Sequence, residues 1–107
     1  MQKPFFVWQN KVLKNVNPEE VMCLYTEGNY TRIILSDKKT TYLVRSALSR
    51  ALKKLPPDMF IKTHRSFAAS IYFIDNIARD HLTVGGESIP IARRYYKPVI
   101  DRLNVIE

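Results

Sequence analysis

The stretch from Phe60 to Ile74, reading Phe-Ile-Lys-Thr-His-Arg-Ser-Phe-Ala-Ala-Ser-Ile-Tyr-Phe-Ile, constrains the fold more than any other part of the chain. Apolar and polar residues alternate from Phe60 to about His64, the period of a strand with one buried face. The pair His64-Arg65 then breaks the apolar supply. Core and surface chemistry share one strand, in which Arg65 either faces a partner or is a solvated arginine on a sheet edge. The neighbouring segments bear on that choice.

Upstream, short β-prone runs are divided by turn chemistry. Phe5-Phe6-Val7-Trp8 and Lys11 to Val16 form two strands around Gln9-Asn10, and Asn17-Pro18-Glu19-Glu20 makes a turn or a single helical turn. Met22 to Thr26 is a strand, interrupted at Glu27-Gly28-Asn29, where Gly and Asn both tolerate positive φ. Tyr30 to Leu35 and Thr40 to Arg45 flank Ser36-Asp37-Lys38-Lys39 as a hairpin. Ser46 is placed to cap a helix whose Leu48, Ala51, Leu52 and Leu55 fall on one face, with Arg50, Lys53 and Lys54 outside it, and Pro56-Pro57 ends it. Beyond Ile74, strands are expected over Ile74 to Arg79, Leu82 to Val84 and around Ile89, with Gly85-Gly86 as a hairpin turn and Pro90 marking an edge. Pro98 belongs in a first helical turn, so a C-terminal helix is expected from Arg94 or Tyr95 to about Leu103.

A chain of 107 residues fits one domain, residues 1–107, and suffices to enclose one compact core without disulfide or metal support. Seventeen Lys and Arg against ten Asp and Glu give a formal charge of +7. A small domain so basic suits a polyanion, nucleic acid before anionic membrane, although solubility alone also explains such a balance. Cys23, the only cysteine, sits in an apolar run and is expected to be a buried, unbridged residue in a reducing, cytoplasmic setting. No apolar run is long enough to span a bilayer, and Met1-Gln2-Lys3-Pro4 leads into a short aromatic segment rather than a signal-peptide core.

Catalytic chemistry is thinly represented. His64 and Ser66 share a strand face, but no acid is placed to complete a triad, and the serine lacks a glycine-flanked elbow. The two His and one Cys are too widely spaced to suggest a metal site, and Gly85-Gly86 lacks the remaining features of a phosphate loop. No catalytic group, metal or cofactor is therefore expected. What remains is basic residues interleaved with aromatics: Tyr30-Thr31-Arg32, His64-Arg65 and Arg93-Arg94-Tyr95-Tyr96-Lys97. Arginine offers a rigid fork of donors to phosphate or to the O6/N7 edge of guanine, and Tyr and Thr offer hydroxyls to phosphate or apolar surface to a thymine methyl. All three clusters fall at strand or loop ends, and no helix is long and basic enough for a recognition helix. Loops are then the expected readers.

Three blocks, Cys23 to Ile33 (Cys-Leu-Tyr-Thr-Glu-Gly-Asn-Tyr-Thr-Arg-Ile), Phe60 to Phe67, and Ile89 to Tyr95, resemble the LytTR family of bacterial DNA-binding domains, the output domains of LytR/AlgR-type response regulators. They occur in family order and spacing across almost the whole chain. The resemblance implies a mostly β, elongated set of small antiparallel sheets with one short mid-chain helix and a short C-terminal helix. It also implies double-stranded DNA as partner, read at imperfect direct repeats through loops in successive major grooves. Base contacts carry over to Asn29 or Thr31, to Arg65 and to Arg93. Lys62, Arg32, Arg94 and Lys97 are expected on phosphates, and His64 in a structural or phosphate-side role. Lys62 stands where the family usually has Arg, Ala69-Ser70 replaces Val-Asn, and Ala92 replaces Ser. The Ser70 change bears on any contact or loop-ordering role of that Asn. A receiver or sensor domain is not part of the sequence, and pairing of two copies on DNA is left open. The rival reading is a protein-interaction module that docks an acidic partner or adds a strand at an exposed edge, and an anionic-lipid binder would need an amphipathic helix with aromatic anchors that is missing.

Overall fold

A computed structural model describes residues 3–107, so Met1 and Gln2, which head the segment read against a signal peptide, lie outside the described residues. Ten strands and two short helices follow one another as β1 (Phe5–Gln9), β2 (Val12–Val16), β3 (Val21–Glu27), β4 (Tyr30–Leu35), β5 (Thr41–Val44), α1 (Leu48–Lys53), β6 (Phe60–His64), β7 (Phe67–Ser70), β8 (Ile74–Ile77), β9 (His81–Val84), β10 (Glu87–Pro90) and α2 (Arg93–Asp101). The strands form three antiparallel sheets: the ribbon β1-β2, a five-stranded sheet in the order β5-β4-β3-β7-β6, and a three-stranded sheet β10-β9-β8. The mostly β, multi-sheet architecture expected from the sequence is the one observed, drawn out to 48 × 31 × 24 Å.

Instead of one core, the five-stranded sheet buries both faces. A bulge between Val21 and Cys23 breaks strict alternation along β3, and Val21 and Leu24 enter a cluster with Phe5, Val16, Leu48 and Leu55, covered by the ribbon and α1. Met22 and Cys23 enter a second cluster with Leu82, Val84, Ile89 and Ile91, covered by the small sheet. Ala68 and Ala69 on β7 divide the same way. A central strand buried on both sides is continuously apolar, as Val21 to Leu24 is.

Local chemistry accounts for the connections. Asn10 and Lys11 carry positive φ in the β1-β2 turn, and a 3-10 turn over Pro18–Glu20 is capped by the Asn17 side chain. Asp37 accepts from the backbone of Lys39 and Thr40 and from the Thr40 hydroxyl, closing β4-β5, and these bonds hold its carboxyl below the usual aspartate range. Gly85 (φ +55°) and Gly86 (φ +86°) make the β9-β10 turn, and a Cβ at Gly85 would fall on Met22 Sδ, so this position excludes larger residues by packing as well as by conformation. Pro90 ends β10, an edge strand, as a missing donor requires.

Several boundaries differ from expectation. Phe60 to Ile74 is not one strand but a hairpin, β6-β7, followed by a 3-10 turn over Ile71–Phe73. The chain reverses at Arg65-Ser66 because the Ser66 N–H donates to His64 Nδ1 at 3.0 Å, and a bulge between Lys62 and His64 twists β6 just before the turn. Ser46 does not cap α1: Ala47 is the N-cap and no side chain bonds there. The apolar face of α1 is as read, with Leu48, Ala51 and Leu55 buried, although Leu55 lies beyond the helix end. Helix α2 starts at Arg93 and contains Pro98 as its sixth residue, past the first turn. Only one ladder donor is lost there, and Arg94 and Pro98 both face solvent, where water can take the freed carbonyl. Among the described residues no helix is long and apolar enough to cross a membrane.

Candidate nucleic-acid interface

Antiparallel pairing brings distant segments to one end of the five-stranded sheet. The β3-β4 turn, Gly28-Asn29, lies at the end of β3 where Tyr25 pairs with Phe67, the first residue of β7. The Thr26 N–H donates to Ser66 C=O at 2.9 Å, which ties that turn to the Arg65-Ser66 turn. Gly28 has φ +62°, a conformation that lets the hairpin close in two residues and leaves Asn29 exposed at its tip. Strand β5 delivers Arg45 and Ser46 to the same end through the pairing of Val44 with Thr31.

Asn29, Lys62 and Arg65 line one open cleft of about 320 Å³, together with Tyr30 and the start of α1 at Ala47 to Ser49. Arg65 is exposed and Lys62 half-buried. Arg93 reaches this end by another route. The Ala92 N–H donates to Thr63 C=O at 2.9 Å, so α2 begins beside the end of β6. At the far end of α2, Arg102 donates to Phe60 C=O (3.2 Å) and Pro57 C=O (2.9 Å). Held at both ends, α2 runs against β6 and presents Arg93 as its exposed first residue.

The other expected contact residues divide. Thr31 is fully buried and its hydroxyl donates to Ser46 C=O at 2.7 Å, so it braces the β5-α1 junction and offers nothing to a groove. Of the pair Asn29 or Thr31, only Asn29 lies at the surface. The pattern was available in the sequence, since Thr31 is two residues from Ile33 and shares its buried face. His64 is half-buried, accepts at Nδ1 and packs edge-on against Phe67 with ring centroids 5.6 Å apart. The bond and the ring contact hold the Arg65-Ser66 turn against β7.

Arg32 makes a bidentate pair with Glu27, Nε to Oε1 at 3.1 Å and Nη2 to Oε2 at 2.9 Å, and also donates to Thr41. The pair pushes the Glu27 carboxyl below its ordinary range and the Arg32 guanidinium above its own. Both side chains lie on the sheet surface, with the fork of Arg32 already occupied. Arg94 lies over the ring of Tyr95, 5.1 Å from its centroid, and Lys97 pairs with Asp101 at 3.1 Å one helical turn on; both stay exposed. Ser70 is buried on β7 away from these turns, so the substitution there touches the core and not the cleft.

Sequence reasoning missed the start of α1, because the cleft-lining Ala47 and Ser49 carry no charge to mark them. Among the described residues no group of three His, Cys, Asp or Glu side chains is placed to hold a metal ion.

The chain is 27% identical over 96 residues to the sensory transduction protein LytT of Enterococcus faecalis, covering 84% of this chain and 39% of that protein. It thus spans well under half the length of that relative. Its fold matches a solved LytTr DNA-binding domain from Bacillus cereus with a TM-score of 0.81 at 22% identity, over 98% of this chain and all of that one. The family model of the LytTr DNA-binding domain matches residues 11–104, and the chain belongs to the LytTr DNA-binding domain family.

Proposed function

We propose that this domain binds double-stranded DNA sequence-specifically, as the output part of a bacterial transcription regulator, by placing turn residues in the major groove. The observation that carries the reading is the convergence of Asn29, Arg65 and Arg93, from three separate connections, on one end of the five-stranded sheet. Each is exposed, and none of the three is engaged in an ion pair among the described residues. Arg93 and Arg65 have the fork for guanine, and Asn29 has the paired donor and acceptor for adenine. Lys62 and Arg94, with Lys97 further out, supply positive charge for the flanking phosphates. Arg32 is the weakest of the expected phosphate contacts, because it must give up Glu27 to make one. The 48 Å long axis suits contacts about one helical turn of DNA apart, roughly 34–36 Å.

Sites selected from a random duplex library define the cognate sequence. On it, Arg93→Ala and Arg65→Ala each cost about 1–3 kcal/mol and relax preference at one base position. Equal loss on cognate and random DNA would reduce either arginine to a phosphate contact, and a lowered thermal transition in Arg65→Ala would make that residue structural.

A further inference from the structure

The β1-β2 ribbon has two unlike faces. Phe5, Val7 and Val16 point into the core, while cross-strand pairing puts Trp8 opposite Leu13 on the outer face, with Phe6 beside them. That outer face is exposed at 65% for Trp8, 48% for Leu13 and 45% for Phe6, and Trp8 is the only tryptophan in the chain. Three large apolar side chains on one small ribbon are more than scattered surface hydrophobics. Alongside runs a groove of about 360 Å³ between β1 and α1, whose apolar lining includes Phe6 and Trp8 and whose rim carries Arg45, Arg50 and Lys54. No acidic residue lines it, and no carboxylate among the described residues pairs with any of the three cations.

We infer that this groove and ribbon face form a docking site for an acidic amphipathic segment of a partner protein. Charge and surface type together select that occupant. A duplex would satisfy the three cations but offers only isolated thymine methyls, recessed in the groove, against the continuous apolar surface of Phe6, Trp8 and Leu13. A second copy of this chain would bring another +7 of charge. A segment with carboxylates on one side and aliphatic or aromatic anchors on the other satisfies both halves of the site. The site is distinct from the Asn29–Arg65–Arg93 surface, so the domain is able to hold DNA and a protein partner together.

Trp8 is its own reporter. The probe is a labelled helical peptide with Glu and Asp on one face and Leu and Phe on the other, compared with a version carrying Lys at every acidic position. The acidic peptide should bind the intact domain, raise its own anisotropy and shift Trp8 emission to the blue. Phe6→Ser and the double change Arg50→Glu with Lys54→Glu should each weaken it at least tenfold. Trp8→Ser should do the same by anisotropy, while Phe6→Ser and Trp8→Ser leave DNA affinity unchanged and so report an intact fold. No binding, or equal binding of the basic peptide, overturns the inference. A blue shift that grows with protein concentration alone would assign the face to a second copy, and quenching of Trp8 by oligo(dT) that the peptide does not displace would assign it to single-stranded nucleic acid; either result overturns it too.

Discussion

Thr31 and Thr63 are both fully buried, and the same substitution separates them. The Thr31 hydroxyl donates to Ser46 C=O, so Thr31→Val removes that bond and leaves a carbonyl short of its donor, at a cost of about 1–3 kcal/mol. The Thr63 hydroxyl has no partner among the described residues, so Thr63→Val is expected to be neutral or stabilising. Urea unfolding of the two variants checks the difference, and base preference of Thr31→Val should match that of the parent domain. Cys23 supplies the clearest pH dependence. Burial, and to a lesser degree the Glu87 carboxylate, push its thiol up to about 11. A raised folded-state value contributes stability that is complete below the unfolded-state value, near 9, and is lost as pH climbs toward 11. The loss is roughly 2 kcal/mol by the upper end of that window, and Cys23→Ala should lack this component in stability measured from pH 8 to 11. Glu27 has the opposite sign: its lowered value means that the pairing with Arg32 stabilises above the ordinary carboxylate range and fades as pH falls below it.

Among the elements, helix α1 is the one whose start both bears on stability and lines the candidate cleft. Its N-cap is Ala47, with no side-chain bond to the first turn, and the same residue lines the cleft beside Lys62 and Arg65. Ala47→Ser should stabilise the domain by about 1 kcal/mol through a cap and leave DNA affinity unchanged. Ala47→Asp should stabilise as well but weaken DNA binding, since it places a carboxylate in the cationic cleft. Thermal unfolding and gel-shift titration of both variants provide the check, and stronger binding by the Asp variant would place DNA elsewhere. The elements also show how far the sequence could be read. Hairpins with strong turn chemistry, at Ser36 to Lys39 and at Gly85-Gly86, were legible because the turn residues dictate the backbone. The Arg65-Ser66 turn was not, because it is held by a histidine side chain acting on the backbone, and a single serine beside an arginine is a weak turn signal. Pro98 misled for a related reason: its cost depends on whether the freed carbonyl is wet, which periodicity does not reveal.

At the scale of the whole molecule, the positive charge and the placement of the turns make a joint statement. With about five phosphate contacts, the logarithm of affinity should fall against the logarithm of salt concentration with a slope of roughly −4 to −5. Affinity indifferent to salt would remove DNA as the partner of this surface. The candidate surface was legible at Asn29, Lys62, Arg65 and Arg93, whose residue types suit the chemistry, and the burial of Thr31 was available in its spacing from Ile33. What was not legible is that the five-stranded sheet has two buried faces, which depends on packing between segments distant in sequence. Those two faces also bear on folding. Strand β3 feeds both clusters, so neither core can form without it, and the domain is expected to unfold in one cooperative step.

The bond between Thr26 and Ser66 ties together two turns whose tip residues make no contribution to either core. The framework that positions Asn29 and Arg65 is therefore backbone, while the groups they present are side chains. If those side chains read bases as proposed, a lineage carrying this domain can drift from one operator to another by exchanging residues at these tips singly, without repacking the interior. On the same proposal, paralogues in one genome can diverge in target while keeping the same interior.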